Sequence, residues 1–420
     1  MPLPTADVCR SSSRSKVVIG HPIIGRAGSE SNVMWLIEAL KRDCDVTVLT
    51  TGGWNLAELN EFYGTQVRED EVKVRIAPVP LLPRNVSAAA LRGACYQRFA
   101  LQIAGEYDVR ISAYNATDWG LPAIHFIADF CWHRTLREKH DPPTPGFIYR
   151  DSVLRRSYLR IAKACGRSSG RDVLRDEVVI ANSRWTAERL REYCGVDCAA
   201  VVYHPVWTEF PDVPWEEKAQ AFVMIGRIAP EKRVERAIAI VDAVRRRGYA
   251  LRFHLCGQIG DDIYGRRIAH LCREHADWIT VEGQVTGKRK AQILAGCRFG
   301  IQAREAEPFG ISVAEMVKAG AIVFAPNDGG QAEILDVPDL LFADEAEAVE
   351  KVQAVLEQPK LLACMRTHLA NRAEAFGAQR FMRGARACTT HARWLAAKPS
   401  APHDSALTHR NLLGGSHDEL

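Results

Sequence analysis

Apolar residues in this chain fall into short blocks with two different spacings. Val17-Val-Ile-Gly20 has the length and β-branched character of a buried strand. A glycine-bearing loop, 21–31, follows; positions 33–41 then repeat at helical spacing, and Asp45-Val-Thr-Val-Leu-Thr50 returns to strand character. Strand, loop, helix, strand is the pattern of a parallel α/β unit. Further strands are predicted over 72–76, 109–112, 123–127 and 178–181, with helices over 88–104 and 185–193.

The alternation stops at Tyr203-His-Pro-Val206 and Phe210-Pro-Asp-Val-Pro-Trp215, where Pro205, Pro211 and Pro214 disfavour regular structure. It then restarts. Strands are predicted over 222–226, 251–256, 280–283, 299–303 and 321–325, and helices over 234–246, 263–275, 288–295 and 313–319. The fold class is therefore α/β, with two Rossmann-like doubly wound domains, 17–208 and 209–375. Such domains in tandem face each other across a cleft at the carboxyl ends of their strands. Residues 1–16 and the Ser-, His-, Gly- and Asn-rich segment 398–420 are predicted to be disordered.

A chain of 420 residues is too long for one core, and 47% hydrophobic with 25% charged residues is an ordinary globular balance. A net charge of +4 gives no case for nucleic acid as a partner. The twelve cysteines include no C-x-x-C, and only Cys194 and Cys198 lie close together, which fits reduced thiols better than zinc or a disulfide framework. The first sixteen residues lack the apolar core of a secretory leader, and the longest apolar runs, such as 319–326, are strand-length. A cytoplasmic protein is expected, so the terminal His417-Asp-Glu-Leu420, which matches an endoplasmic-reticulum retrieval address, is read as coincidence. Between 150 and 175 lie seven Arg and one Lys against two Asp. That stretch suits either peripheral docking on anionic lipid at the inner membrane face or a solvated helix face.

The strongest chemical signal is R-E-A-E-P-F-G-I-S-V-A-E, with Glu307 and Glu315 on either side of a Pro-Phe-Gly turn and a short helix. Pro308 disfavours helix at Glu307, and Gly310 lets backbone approach a ligand. N–H groups at the helix start can take phosphates, while the carboxylates can take hydroxyls. Glu315 has a second reading, since Ser312-x-x-Glu315 fits a capping box. The other signal is Gly226-Arg-Ile-Ala-Pro-Glu-Lys232, which places Arg227 and Lys232 at the carboxyl end of a strand. Two cations there can hold a diphosphate and offset charge on a leaving phosphate, or stand as solvated surface charges. Asp43-Cys-Asp45 spells D-x-D but precedes its strand, and reads as a helix-to-strand turn.

Together, G-R-x-x-x-E-K and E-P-F-G-I-S-V-A-E, in this order, resemble the retaining glycosyltransferases of the GT-B fold, glycosyltransferase family 4 (group 1). Asn182-Ser-Arg-Trp-Thr186 and Val202-Tyr-His-Pro-Val206 resemble that family's entry to its interdomain linker, and Gly329-Gly330 through Glu333 its G-G-x-x-E step. Phe376-Gly-Ala-Gln-Arg-Phe381 resembles the start of its last helix, which implies that 376–397 returns to the first domain. The lipid-linked-oligosaccharide mannosyltransferases are one near pattern. The resemblance spans about 17–395 and is strongest in the second half.

The resemblance implies an acceptor-binding first domain and a donor-binding second domain. Arg227 and Lys232 would grip the diphosphate of a nucleotide sugar, and Glu307 would sit by the transferred sugar. Phe309, Gly310 and Ile311 would offer N–H groups, Glu315 would bind the ribose, and Gln284 and Val285 would line the base. The implied reaction moves a hexosyl group to a glycan or lipid-linked hydroxyl with retention. The nucleotide-diphosphate sugar is the co-substrate, with no cofactor and no metal. An inert nucleotide-sugar-binding partner, or an epimerase of the same fold, are the alternatives. In the first domain, Gly25-Arg-Ala-Gly28-Ser-Glu30 resembles the family's G-G-x-E turn with Arg26 and Ala27 inserted. Where the family carries a histidine, this chain has Ala128 or Asp129, so Gly25, Gly28 and Asp129 are the acceptor-side candidates. His125 and His133 are out of register and unassigned.

Overall fold

The computed structural model describes residues 14–79, 89–133, 135, 153–167, 169, 173–175 and 177–397. The first sheet contains β1 (Ser15–Gly20), β2 (Cys44–Thr50), β3 (Val72–Ile76), β4 (Val109–Ser112), β5 (Ile124–Ile127), β6 (Val178–Ala181) and β7 (Ala200–Val201). Its order is β3-β2-β1-β4-β5-β6-β7, and every pairing is parallel. Strand β1 begins at Ser15, which pairs with Cys44, so Ser15 and Lys16 lie in the sheet rather than in a disordered terminus. The helices are α1 (Ser31–Leu40), α2 (Leu56–Tyr63), α3 (Ala89–Ile103), α4 (Val153–Cys165) and α5 (Arg184–Cys194).

The second sheet contains β8 (Ala219–Ile225), β9 (Arg252–Cys256), β10 (Ile279–Gly283), β11 (Cys297–Ile301), β12 (Ile322–Pro326) and β13 (Leu341–Phe342). Its order is β10-β9-β8-β11-β12-β13, again parallel throughout. Its helices are α6 (Val234–Arg246), α7 (Ile263–Glu274), α8 (Gly287–Gly296), α9 (Ile311–Lys318), α10 (Gly330–Leu335), α11 (Glu345–Glu357) and α12 (Pro359–Ala373). A last helix, α13, spans Ala378–Ala397. Helices on both faces bury the central strands completely, as in β12, which explains their unbroken apolar runs.

In each sheet the chain winds outward from a central strand and then jumps to that strand's other side. The switch falls between β1 and β4 in the first sheet and between β8 and β11 in the second. Loops leaving the two strands at a switch part in opposite directions and open a crevice there. Between the sheets the chain crosses twice, and the crossings run side by side: the Val206 N–H donates to the Phe376 carbonyl at 2.8 Å. Helix α13 then packs on the first sheet, where Phe381, Met382, Ala385 and Cys388 join the core of β1, β2 and β4. Arg386 on α13 donates to the Ala39 carbonyl at the end of α1, at 2.7 Å. Among the described residues no helix is long and apolar enough to cross a membrane. Of the basic stretch, 150–152, 168 and 170–172 lie outside the described residues, as do the terminal segments 1–13 and 398–420.

Candidate active site

At the switch of the second sheet, the loop after β8 meets the loop after β11. The first ends in a short turn, Pro230–Lys232, that carries the Lys232 side chain inward. Lys232 Nζ donates to Glu307 Oε2 at 2.5 Å, and each side chain is only 14% exposed. Arg304 Nε approaches the same oxygen at 3.7 Å. Burial alone would push the Glu307 carboxyl up. The Lys232 and Arg304 charges and the Lys232 hydrogen bond outweigh it and hold the group down at about 2. Arg227 is not part of this pair. It stands at the rim, 79% exposed, with Glu231 at 3.1 Å.

The backbone around Glu307 is wedged in place. Ala306 takes a left-handed conformation, φ 50°, and its N–H donates to Asp328 at 2.8 Å. The Gly330 N–H donates to the Glu307 carbonyl at 2.8 Å. A Cβ at Gly329 would lie 2.4 Å from the Glu307 carbonyl oxygen, and one at Gly330 2.4 Å from that of Pro308. The adjacent glycines are therefore required by the close approach of two chain segments.

Helix α9 starts directly after this turn. Its N-cap is Gly310 at φ 102°, and no capping side chain takes its first N–H groups. The expected capping box does not form, because Gly310 occupies the cap and leaves Ser312 inside the helix. There the Ser312 hydroxyl accepts from Gln302 at 3.2 Å. Buried Glu315 accepts instead from Lys290 Nζ at 2.6 Å and from the Thr208 hydroxyl at 3.2 Å. Gln284 is exposed and Val285 half-buried, in the turn between β10 and α8. Phe309 is buried against Tyr203 and Phe376 of the two crossings, with ring centroids 5.7 and 6.1 Å away.

On the first-domain side, Gly28 abuts the start of α9: a Cβ there would lie 2.7 Å from Ile311 Cδ1. Gly25 and Ala27 offer their carbonyls to the Tyr63 hydroxyl, at 2.9 and 2.8 Å. Asp129, just past β5, accepts from the Tyr114 hydroxyl, the Asn115 amide and the Cys131 N–H at 2.9, 2.9 and 3.0 Å. It is fixed in the crevice wall by three donors. His125 is buried inside β5 with Nδ1 3.0 Å from Ser112 Oγ, and burial pulls its pKa down to about 3. His133 stacks edge-on to Trp132, ring centroids 5.6 Å apart.

Another histidine, His204 in the linker, occupies the junction. Its Nδ1 donates to Asn32 Oδ1 at 2.9 Å, its Nε2 accepts from the Asn182 amide at 3.2 Å, and its ring faces Phe309 at 5.5 Å. Burial keeps it neutral, with a pKa of about 4, although the Asp129 and Glu307 carboxylates both pull upward. The start of α5 presses on the donor-side loops as well. Ser183 and Thr186 hydroxyls donate to the Pro308 carbonyl at 2.5 and 3.2 Å, and the Trp185 indole donates to Asp328 at 3.1 Å. Glu333 accepts from the Arg184 N–H at 2.9 Å, and burial raises its carboxyl to about 7. Lys290, Asp328 and His204 escaped the sequence reading because their partners are distant in the chain, whereas Arg304 stands only three residues before Glu307.

Two parallel doubly wound sheets with a charged crevice at the second switch define the GT-B glycosyltransferase fold. Solved structures share it along nearly the whole chain. Sucrose-phosphate synthase from Thermosynechococcus elongatus superposes with a TM-score of 0.65 at 16% identity, covering 92% of this chain and 100% of that one. HepE from Anabaena in complex with UDP-glucose gives 0.63 at 15%, covering 90% and 100%. WaaG, a glycosyltransferase involved in lipopolysaccharide biosynthesis, gives 0.62 at 14%, covering 89% and 99%. Residues 205–375 match the family model of the glycosyl transferases group 1. A curated relative, the GDP-Man:Man(3)GlcNAc(2)-PP-Dol alpha-1,2-mannosyltransferase of Mus musculus, is 26% identical over 179 residues, 39% of this chain. The match spans 36% of that protein's length.

Proposed function

We propose that the protein transfers a hexosyl group from a nucleotide-diphosphate sugar to a hydroxyl of a glycan or lipid-linked acceptor, with retention of configuration. The observation that carries this reading is the buried Lys232–Glu307 pair at 2.5 Å, set at the second switch beside the uncapped start of α9. Such a helix start favours phosphate oxygens, and an ammonium next to it offsets the charge that develops as a diphosphate departs. Protein cations, Lys232 with Arg227 at the rim, take the role a metal would otherwise play. Glu307, ionised over the whole working pH range, lies beside the transferred sugar and steadies positive charge at its anomeric carbon. Glu315 receives the ribose hydroxyls. The match to a domain of group 1 glycosyl transferases and the fold shared with HepE bound to UDP-glucose support a nucleotide-sugar donor.

On the acceptor side, Gly28 meets Ile311 at the head of α9, so an acceptor on the first domain would face the donor sugar directly. The reading extends to a lipid surface. Helix α4 exposes Leu159 and Ile161, 41% and 60%, beside exposed Arg156 and Arg160, which suits contact with anionic headgroups. Nucleoside-diphosphate release from UDP-, GDP- and ADP-hexoses, with and without oligosaccharide or polyprenyl-linked acceptors, tests the reading. Acceptor-dependent release that Glu307→Ala abolishes is expected. A wild type that binds a donor and never turns it over would leave only a nucleotide-sugar-binding protein.

A further inference from the structure

Glu315 is the least exposed carboxylate near the start of α9, its side chain 7% exposed, and its charge is met from another helix. Lys290, in the first turn of α8, places Nζ 2.6 Å from Glu315 Oε1 and 5.7 Å from the centre of the Trp207 ring. That turn reads Lys288-Arg289-Lys290 and carries no acidic residue. Cations there oppose the positive end of the helix dipole, so the helix itself does not favour them. Arg289 is drawn back to Glu282 at 2.8 Å, whereas Lys290 is held forward by Glu315 and the indole face. Trp207 is anchored in turn. Its indole N–H donates to the Phe62 carbonyl at 2.9 Å, and its ring lies 5.1 Å from Tyr63, whose hydroxyl holds the Gly25 and Ala27 carbonyls.

We propose that Lys290 is a positioning residue for the donor's ribose, fixing the Glu315 carboxylate and tying it through Trp207 and Tyr63 to the first-domain glycine loop. This rests on the reading of Glu315 as the ribose-binding carboxylate. Ribose hydroxyls gain most from an ionised acceptor in a fixed place, because hydrogen bonds to a charged group are roughly twice as strong as neutral ones. Without the Lys290 ammonium, Glu315 keeps one hydrogen bond, from the Thr208 hydroxyl, and the more distant charge of Lys318. A buried carboxylate that has lost its 2.6 Å partner swings toward water, and the ribose loses its fixed acceptor. Trp207 adds direction, because its ring limits where Nζ can sit.

The test is titration calorimetry of the full chain with UDP, GDP and ADP and with their 2′-deoxy counterparts. Wild type should prefer the ribose form of at least one nucleotide by about tenfold, the scale of a charge-assisted hydrogen bond. Lys290→Met should shrink that preference to about twofold or less, while Lys290→Arg, which keeps the charge, should retain most of it. Lys290→Gln gives the same comparison should the methionine variant fail to fold. A folded Lys290→Met that keeps the wild-type preference overturns the role of Lys290 and leaves the donor site intact. A wild type that binds these nucleotides without preferring ribose overturns the reading of Glu315 beneath it.

Discussion

Lys232 and Glu307 lie 75 residues apart in sequence and 2.5 Å apart in space, each nearly closed off from water. The two loops that bring them together leave β8 and β11, the strands flanking the topological switch. Removing either partner strands a buried charge, whose cost is typically about 3–5 kcal/mol. Lys232→Met should therefore lower the urea midpoint markedly as well as abolish donor binding. Glu307→Gln, which keeps an amide oxygen for Lys232 Nζ to donate to, should lose less stability and about as much activity, on the order of a hundredfold or more.

The pH dependence of the same pair has a definite sign. Glu307 titrates at about 2 in the folded protein against an ordinary 4.5, so the fold binds this proton more weakly than the unfolded chain does. Its contribution, on the order of 3 kcal/mol, is present above pH 4.5 and is lost as pH falls toward 2. Glu307→Gln should flatten that part of the acid-unfolding curve, as read from urea midpoints between pH 2.5 and 6.

Glu333 has the opposite sign. Burial raises its carboxyl from 4.5 to about 7, so its protonated form favours the fold. That contribution is complete below pH 4.5 and is lost as pH rises through 7. Glu333→Gln keeps an acceptor for the Arg184 N–H and should raise the melting temperature at pH 8 while changing little at pH 5. A uniform shift at both values would contradict the assignment.

Ser183 caps α5 by accepting from the Thr186 N–H at 2.9 Å and donates to the Pro308 carbonyl at 2.5 Å. Ser183→Ala should cost about 1–2 kcal/mol, and more in catalytic rate than in donor affinity, because the turn bearing Glu307 loses a brace from the first domain. Steady-state kinetics and denaturant melts separate the two effects.

A methyl group at Gly329 would collide with the Glu307 carbonyl oxygen, at φ 79° where a Cβ is also strained. Gly329→Ala should destabilise by about 1–3 kcal/mol and displace Glu307, abolishing transfer in a protein that still folds. Retained activity would mean that this backbone contact is slack.

What the sequence disclosed follows from where each partner lies. Strand periods made both doubly wound sheets legible, and a doubly wound order puts Gly226–Lys232 and Arg304–Glu307 at one crevice. Arg227 and Lys232 looked equivalent as sequence, but only Lys232 is buried on Glu307, while Arg227 stays exposed beside Glu231. The Ser312–Glu315 spacing suggested a cap because nothing in a linear pattern shows that Gly310 already ends the loop. Lys290 was invisible because its charge acts on a helix 25 residues on. His204 gained its place only when Asn32 and Asn182 closed around it. Helix α2, capped by Asn55 and ended by Gly64, spans eight residues, too few for a clear period.

Proton NMR of a complete reaction tests the central claim most directly. With the nucleotide sugar that wild type turns over, the new glycosidic bond should show the donor's anomeric configuration and grow in step with nucleoside diphosphate. Glu307→Gln should show neither signal. A product of inverted configuration, or nucleotide release with no glycosylated acceptor, would contradict the account.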